Sequence, residues 1–301
     1  MDRDEIKPPV LIIGFQRSGT TMARLMINSH PNIAVPFETG FFARYQRAAE
    51  RYGDLSEAEN AKAALRDIAG ERFAQFGKLI TDEDEVLAAR PGSMAELIDS
   101  VMLSYARRQG KQRWGDKSPE HNEDIDVLAT MFPDAKIIHV IRDGRDVALS
   151  HKSVSWASRH LPKVAREWNS TTILCDKIGG LLGPERYLLV HYEDLVRNTE
   201  TVLRRICTFI DEPYSEQMLD YHETARQAMP ERSLEWHQNS VSRPDPSKCF
   251  AWKTRLPEAD VKIFDEIAQE ALARFGYEVG NGPSSFGTKM RKLYYAVVAR
   301  Y

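Results

Sequence analysis

Short apolar runs alternate along the chain with longer stretches of helical period. Val10 to Ile13 is a four-residue apolar run ending at Gly14, and the loop behind it closes with Gly19, Thr20 and Thr21. Apolar residues then return at Met22, Leu25 and Met26, the spacing of a helix with one face on a core, and His30-Pro31 ends that helix. Residues 33 to 35, Ile-Ala-Val, form a second short strand leading into Pro36-Phe37-Glu38-Thr39. From Phe41 to Gly110 the period is helical, with breaks at Gly53, Gly70 and Pro91-Gly92. Within that block Ser93-x-x-Glu96 is a capping box, followed by an apolar stripe through Met94, Leu97, Ile98, Val101, Met102 and Tyr105. Lys136 to Ile141 and Tyr187 to Val190 are two further buried strands, and a helix from Pro257 to Phe275 stops at Gly276.

Strands alternating with helices predict an α/β fold: a mostly parallel central sheet flanked by helices. We assign residues 1–301 to a single domain, with a helical insertion at about 41–110 and a C-terminal extension at about 279–301. In such sheets ligands bind beyond the carboxyl ends of the strands. Arg17 and Ser18, Glu38, Arg142 and Ser150, and His191 and Tyr192 all follow strands in this way.

Charge narrows the partners. A net charge of -3 gives no overall attraction to nucleic acid or to an anionic membrane, so any basic site must be local and bulk nucleic-acid binding is not expected. With no long apolar segment in the sequence, neither a signal peptide nor a membrane anchor is expected, and a cytoplasmic location is the default. Cys175, Cys207 and Cys249 are odd in number and lack metal-ligand spacing, which predicts core thiols. His139, inside an apolar strand, is expected in the core. His121, beside Asp116 and Glu120, is expected as a hydrogen-bonding or acceptor-pocket residue.

The first loop carries the clearest chemistry. A strand entering a Gly-bounded loop and then a helix aims backbone N–H groups and the helix dipole at an anion. Gly14-x-x-x-x-Gly19 has P-loop spacing, but Thr20 stands where a nucleotide triphosphatase carries its Lys, which argues against ATP hydrolysis. Positive charge comes instead from Arg17, whose planar fork suits phosphate or sulfate. A second segment, residues 137 to 151, puts Arg142 at a strand end and Ser150 two helical turns on, fit for a separate phosphate. Asp143 in that segment is either a magnesium ligand or a structural partner of Arg142 and Arg145, and its neighbours favour the second. Two phosphate sites and no Lys in the first suit a nucleotide with phosphate at both ends of its ribose, such as 3′-phosphoadenosine 5′-phosphosulfate (PAPS).

On these segments the sequence resembles the PAPS-dependent sulfotransferases, nearest the branch of the tyrosylprotein sulfotransferases and their bacterial relatives, over roughly residues 9 to 278. FQRSGTT at 15 to 21 and VIRDGRDVALS at 140 to 150 carry most of it. The resemblance implies that Arg17, Ser18, Gly19, Thr20 and Thr21 hold the 5′-phosphosulfate, Arg142 and Ser150 the 3′-phosphate, and that Tyr192 lies in the nucleotide pocket. HPNIAVPFET at 30 to 39 places the catalytic base at Glu38, and DKSPEH at 116 to 121 sets Lys117 beside the sulfuryl group. FAWKTRLP at 250 to 257 matches a late Trp segment offering Lys253 and Arg255, of which Arg255 is favoured for the 3′-phosphate. Where the tyrosylprotein enzymes have a Ser near the sulfuryl group, this chain offers His237, Ser240 and Ser242.

The implied reaction is an in-line displacement. A hydroxyl or amine acceptor attacks sulfur, 3′,5′-ADP leaves, Glu38 takes the proton, and Arg17, Lys117 and loop N–H groups stabilise the developing charge. No metal is expected. The acceptor, whether small molecule, peptide or glycan, stays open; Phe37, Phe41, Phe42 and Tyr45 fit either an apolar acceptor pocket or the core. A metal-dependent P-loop kinase is the rival enzyme, and it lacks its Lys. A non-catalytic nucleotide-binding protein is the rival from another class, and the presence of both Glu38 and Lys117 weighs against it.

Overall fold

Val10–Ile13 (β1) lies at the centre of a five-stranded sheet, and every residue of it is buried. The computed structural model describes residues 7–238, 240–280 and 286–298. Strand order is β2-β3-β1-β4-β5, where β2 is Ile33–Ala34, β3 Arg113–Asp116, β4 Lys136–Ile141 and β5 Tyr187–His191. All four neighbouring pairs are parallel, with Val10 opposite Gly115 on one side and Ile13 opposite His139 on the other. The expected architecture is thus present. Strands covered on both faces need apolar residues at consecutive positions, which is why β1 and β4 stand out as continuous runs.

Alternate side chains of these strands enter different cores. Leu11, Ile13 and Ile137 pack with Trp114 and the helices of residues 42–108, whereas Val10, Ile12, Ile138 and Val140 pack with helices Thr20–Asn28 and Thr199–Phe209. A third cluster, around Trp168 and Phe264, joins helix Leu161–Leu182 to Glu258–Ile267. Met94–Arg108 covers the β2-β3 half of the sheet. Half of its predicted capping box forms: the Ser93 hydroxyl accepts from Glu96 N at 3.2 Å, while the Glu96 carboxylate accepts from Gly92 N at 2.7 Å.

Strand β3 escapes the apolar-run signal. Its sequence is Arg-Trp-Gly-Asp, yet it lies buried between β1 and β2. Each polar side chain there has a partner outside the strand: Arg113 lies 3.3 Å from Glu212, Trp114 Nε1 donates to Asp99 at 2.7 Å, and Asp116 sits 2.7 Å from His121 Nε2. Gly115 allows the close approach to β1, since a Cβ there would fall 2.6 Å from the Val10 carbonyl oxygen.

Other expectations resolve in the core. Phe41, Phe42 and Tyr45 are buried there, not in a pocket. The three cysteines are free and buried, and burial pushes the Cys175 thiol up to about 12. His139 is buried with Nδ1 2.6 Å from the Tyr187 hydroxyl, and burial lowers its pKa to about 4. The C-terminal helix Phe286–Val298 docks on Glu258–Ile267 through Arg291 and the Tyr295 hydroxyl, 2.8 and 3.1 Å from Asp260. No helix among the described residues is long and apolar enough to cross a membrane.

Candidate active site

The loop after β1 is shaped from both sides. Gly14 is clasped by Asn122, whose side chain accepts from Gly14 N at 2.7 Å and donates to Gly14 O at 3.0 Å. Arg17 and Gly19 both take positive φ, 69° and 94°. Only glycine fits at the second of these, because a Cβ there would stand 2.3 Å from the Tyr192 ring. Helix Thr20–Asn28 begins directly after, with no side-chain cap at Gly19 and no acid in its first turn. Its leading N–H groups and positive dipole end are those of an anion site. The Ser18 hydroxyl is wholly buried and has no hydrogen-bond partner among the described residues.

The two phosphate segments meet. Arg17 Nε donates to Ser150 Oγ at 3.1 Å and its Nη1 to the Trp236 carbonyl at 2.8 Å. Arg142, at the end of β4, donates to the carbonyls of Arg17 (3.3 Å) and Lys248 (2.8 Å), with its guanidinium 4.4 Å from the centre of the Tyr192 ring. One cavity of about 700 Å³ collects the residues expected from the sequence: Arg17, Gly19, Thr20, Thr21, Glu38, Lys117, Arg142, Ser150, Tyr192 and Arg255 all line it. Ser18, expected with them, is wholly buried and is not among the lining residues.

Lys117 Nζ donates to Glu38 Oε1 within this cavity, and its ammonium lies 5.9 Å from the centre of the Phe37 ring. The pair is held by its neighbours. Ser118 Oγ accepts from Thr39 N (2.8 Å) and Gly40 N (2.9 Å) and donates to Asp116 at 2.8 Å, tying the segment after β2 to the segment after β3. Burial raises the Asp116 carboxyl, but its bonds to His121 and Ser118 outweigh that and hold it below the ordinary value. His121 is therefore a hydrogen-bonding residue of this network.

Asp143 is fully engaged. Arg145 binds it through two nitrogens at 2.9 and 2.8 Å, and Trp252 Nε1 donates to it at 2.9 Å. That is the structural pairing favoured over a magnesium role. Asp146 accepts the backbone N–H groups of Phe250 (2.6 Å) and Trp252 (2.9 Å), so the late Trp segment is pinned to helix Gly144–His151. Its two cations then separate: Arg255 faces the cavity, whereas Lys253 pairs with Glu278 at 2.9 Å.

Sequence reasoning missed several parts. Lys248, Trp156 and Trp236 line the cavity, the two Trp rings meeting edge to face at 6.5 Å, and Asn122 anchors the loop. None carries a local signal, because each is brought in by tertiary contact. Of the three candidates in the late loop, His237 and Ser240 line the cavity; Ser242 instead donates to the Gln238 carbonyl at 2.8 Å. The site is electropositive: burial, then Arg142, lowers the Arg17 pKa, and burial, then Lys117, Arg17 and Arg24, pushes His237 down to about 3.

A family model described as "Sulfotransferase family" matches residues 8–216, and the chain belongs to that family. Protein-tyrosine sulfotransferase A of Caenorhabditis elegans is 25% identical over 287 residues, which is 93% of this chain and 70% of that protein. Protein-tyrosine sulfotransferase 1 of Danio rerio is 25% identical over 292 residues, 93% of this chain and 75% of that protein. In fold, the sulfotransferase domain of the Synechococcus PCC 7002 olefin synthase aligns with a TM-score of 0.62 at 22% identity, covering 93% of this chain and 99% of that one. The chain is a PAPS-dependent sulfotransferase, as the motif set implied.

Proposed function

We propose that the chain transfers the sulfuryl group of PAPS to a hydroxyl acceptor, with the loop 14–21 on the 5′-phosphosulfate and Arg142, Ser150 and Arg255 on the 3′-phosphate. The observation that carries this reading is the Lys117–Glu38 pair, set in the same cavity as both phosphate segments. The acceptor oxygen bonds to sulfur, the bridging S–O bond breaks, and its electron pair passes to the 5′-phosphate of 3′,5′-ADP. Glu38 takes the acceptor's proton. Arg17 and Lys117 stabilise charge spread over the sulfuryl and bridging oxygens, the contribution that fixed donors make best. The donor anion competes with Glu38 for the Lys117 ammonium, so donor binding frees the carboxylate to face the acceptor.

Phe37, Trp156 and Trp236 give the acceptor side apolar walls, which favours an acceptor with an apolar body, such as a phenol or an alcohol on a hydrophobic frame. Incubating the protein with PAPS and a panel of alcohols, phenols, amines, peptides and glycans, with mass spectrometry of the products, tests this. Sulfation of phenols or apolar alcohols is expected, and transfer confined to glycans or to polar amines contradicts it. A cytoplasmic location is the accompanying proposal, supported by three free thiols suited to a reducing compartment and tested by cell fractionation.

A further inference from the structure

The C-terminal helix Phe286–Val298 uses only one of its faces to dock on the protein. Thr288 and Tyr295 are buried, the latter with its hydroxyl 3.1 Å from Asp260 and its carbonyl 3.0 Å from His160 Nε2. At 3.6 residues per turn Met290, Leu293 and Tyr294 fall on the opposite face. They are 51%, 59% and 52% exposed, and with Trp156, in the loop that carries His160, they make up four of the seven large apolar side chains exposed among the described residues. Apolar side chains gathered in solvent mark a contact surface.

The charge around this stripe is positive. Four cations and no acidic side chain follow Glu278, in a chain whose net charge is -3. Lys289 flanks the stripe on one side, exposed and without an ion pair among the described residues, and Arg291 flanks it on the other. The carboxylates packed against the helix are already engaged: buried Asp260 is shared by Arg291 at 2.8 Å and Lys152 at 3.7 Å, and Glu266 holds Lys292 at 2.6 Å. Arg159, in the adjoining loop, is exposed as well. Apolar side chains on one face, cations along its flanks and no acid are the pattern of a helix that lies on an anionic membrane surface. A second copy of the chain fits less well, because a symmetric pairing would set the same cations against each other.

We propose that this helix docks the protein on an anionic lipid bilayer, with Met290, Leu293 and Tyr294 entering the headgroup boundary and Lys289 and Arg291 reaching the lipid phosphates. At 13 residues the helix is too short to span a bilayer, so it lies in the plane of the interface. The site is local, as a net negative chain requires, and none of these five residues lines the donor cavity.

Sedimentation of the full chain with vesicles of equal parts phosphatidylglycerol and phosphatidylcholine, and with vesicles of phosphatidylcholine alone, tests this. Binding to the mixed vesicles is expected, weakening as salt is raised, with far less binding to phosphatidylcholine. Lys289→Gln should lower partitioning about fivefold, the effect of one cation beside an anionic leaflet. The double variant Met290→Ser, Leu293→Ser should lower it about tenfold or more. Both variants should keep the wild-type melting temperature and affinity for 3′,5′-ADP, since the altered side chains face solvent outside the cavity. Failure of wild type to bind the mixed vesicles overturns the proposal, as does equal binding to both vesicle types or undiminished binding by the double variant. A dimer in sedimentation velocity that the double variant dissolves, with no vesicle binding, assigns the face to a second copy instead.

Discussion

Lys117 and Glu38, 79 residues apart in sequence, are hydrogen-bonded to each other in the cavity at the carboxyl edge of the sheet. The proposed base and the proposed sulfuryl-binding cation are thus mutual partners before any substrate arrives. Under the proposed mechanism an anionic donor would compete with Glu38 for the Lys117 ammonium, linking release of the carboxylate to occupancy of the donor site.

Glu38→Gln keeps the size of the side chain and an oxygen for Lys117 but cannot take a proton. Turnover with an alcohol acceptor should fall ~10²-fold or more while 3′,5′-ADP binding persists. The loss should shrink for an acidic phenol that is already ionised. Steady-state kinetics beside calorimetry separates the two effects, and full activity with an alcohol assigns Glu38 a structural role.

Nucleotide choice follows from Thr20 at the P-loop Lys position and from the second phosphate segment. In thermal-shift measurements 3′,5′-ADP should raise the melting temperature well above the value reached with equal Mg-ATP, because a ligand selective for the folded state stabilises it by mass action. Equal stabilisation by Mg-ATP contradicts the proposed donor site.

Arg142 is tested by comparing two donors. If it binds the 3′-phosphate, Arg142→Ala should weaken PAPS by about 1.5–3 kcal/mol and adenosine 5′-phosphosulfate, which lacks that phosphate, far less. Arg142 also supports the Arg17 and Lys248 carbonyls, so some common loss is expected. Equal weakening of both ligands would confine Arg142 to that supporting role.

Acid should destabilise the fold through His139. Its folded pKa, near 4, lies below the ordinary value of 6.5, so its contribution is complete above 6.5 and is lost as pH falls from there to about 4. The loss is on the order of 3 kcal/mol. His139→Asn leaves the Tyr187 hydroxyl a polar neighbour and removes the titration. Its urea-unfolding free energy should change less steeply between pH 6.5 and 4 than that of wild type, and an identical slope shows that His139 does not titrate on unfolding.

Much of the fold was legible because it is written locally. β1 and β4 are apolar at consecutive positions since helices cover both faces, and the spacing of Gly14 and Gly19 around Arg17 marks a loop between strand and helix suited to an anion. The same holds for the second phosphate segment, whose Arg142 and Ser150 sit on one strand end and the helix after it. From such patterns follow the fold class, the family and the expectation of two anion sites.

Tertiary structure decided the rest. β3 is a polar strand made buriable by Glu212 and Asp99, which lie well outside it in sequence, together with the nearby His121. Asn122 reaches Gly14 across 108 residues, and Trp236, His237 and Lys248 enter the cavity from a segment with no strand of its own. The reason is topological. A parallel sheet with order β2-β3-β1-β4-β5 brings strand ends from remote parts of the chain to one edge, so the sequence determines which groups stand at the ends, and the crossovers decide which of them meet.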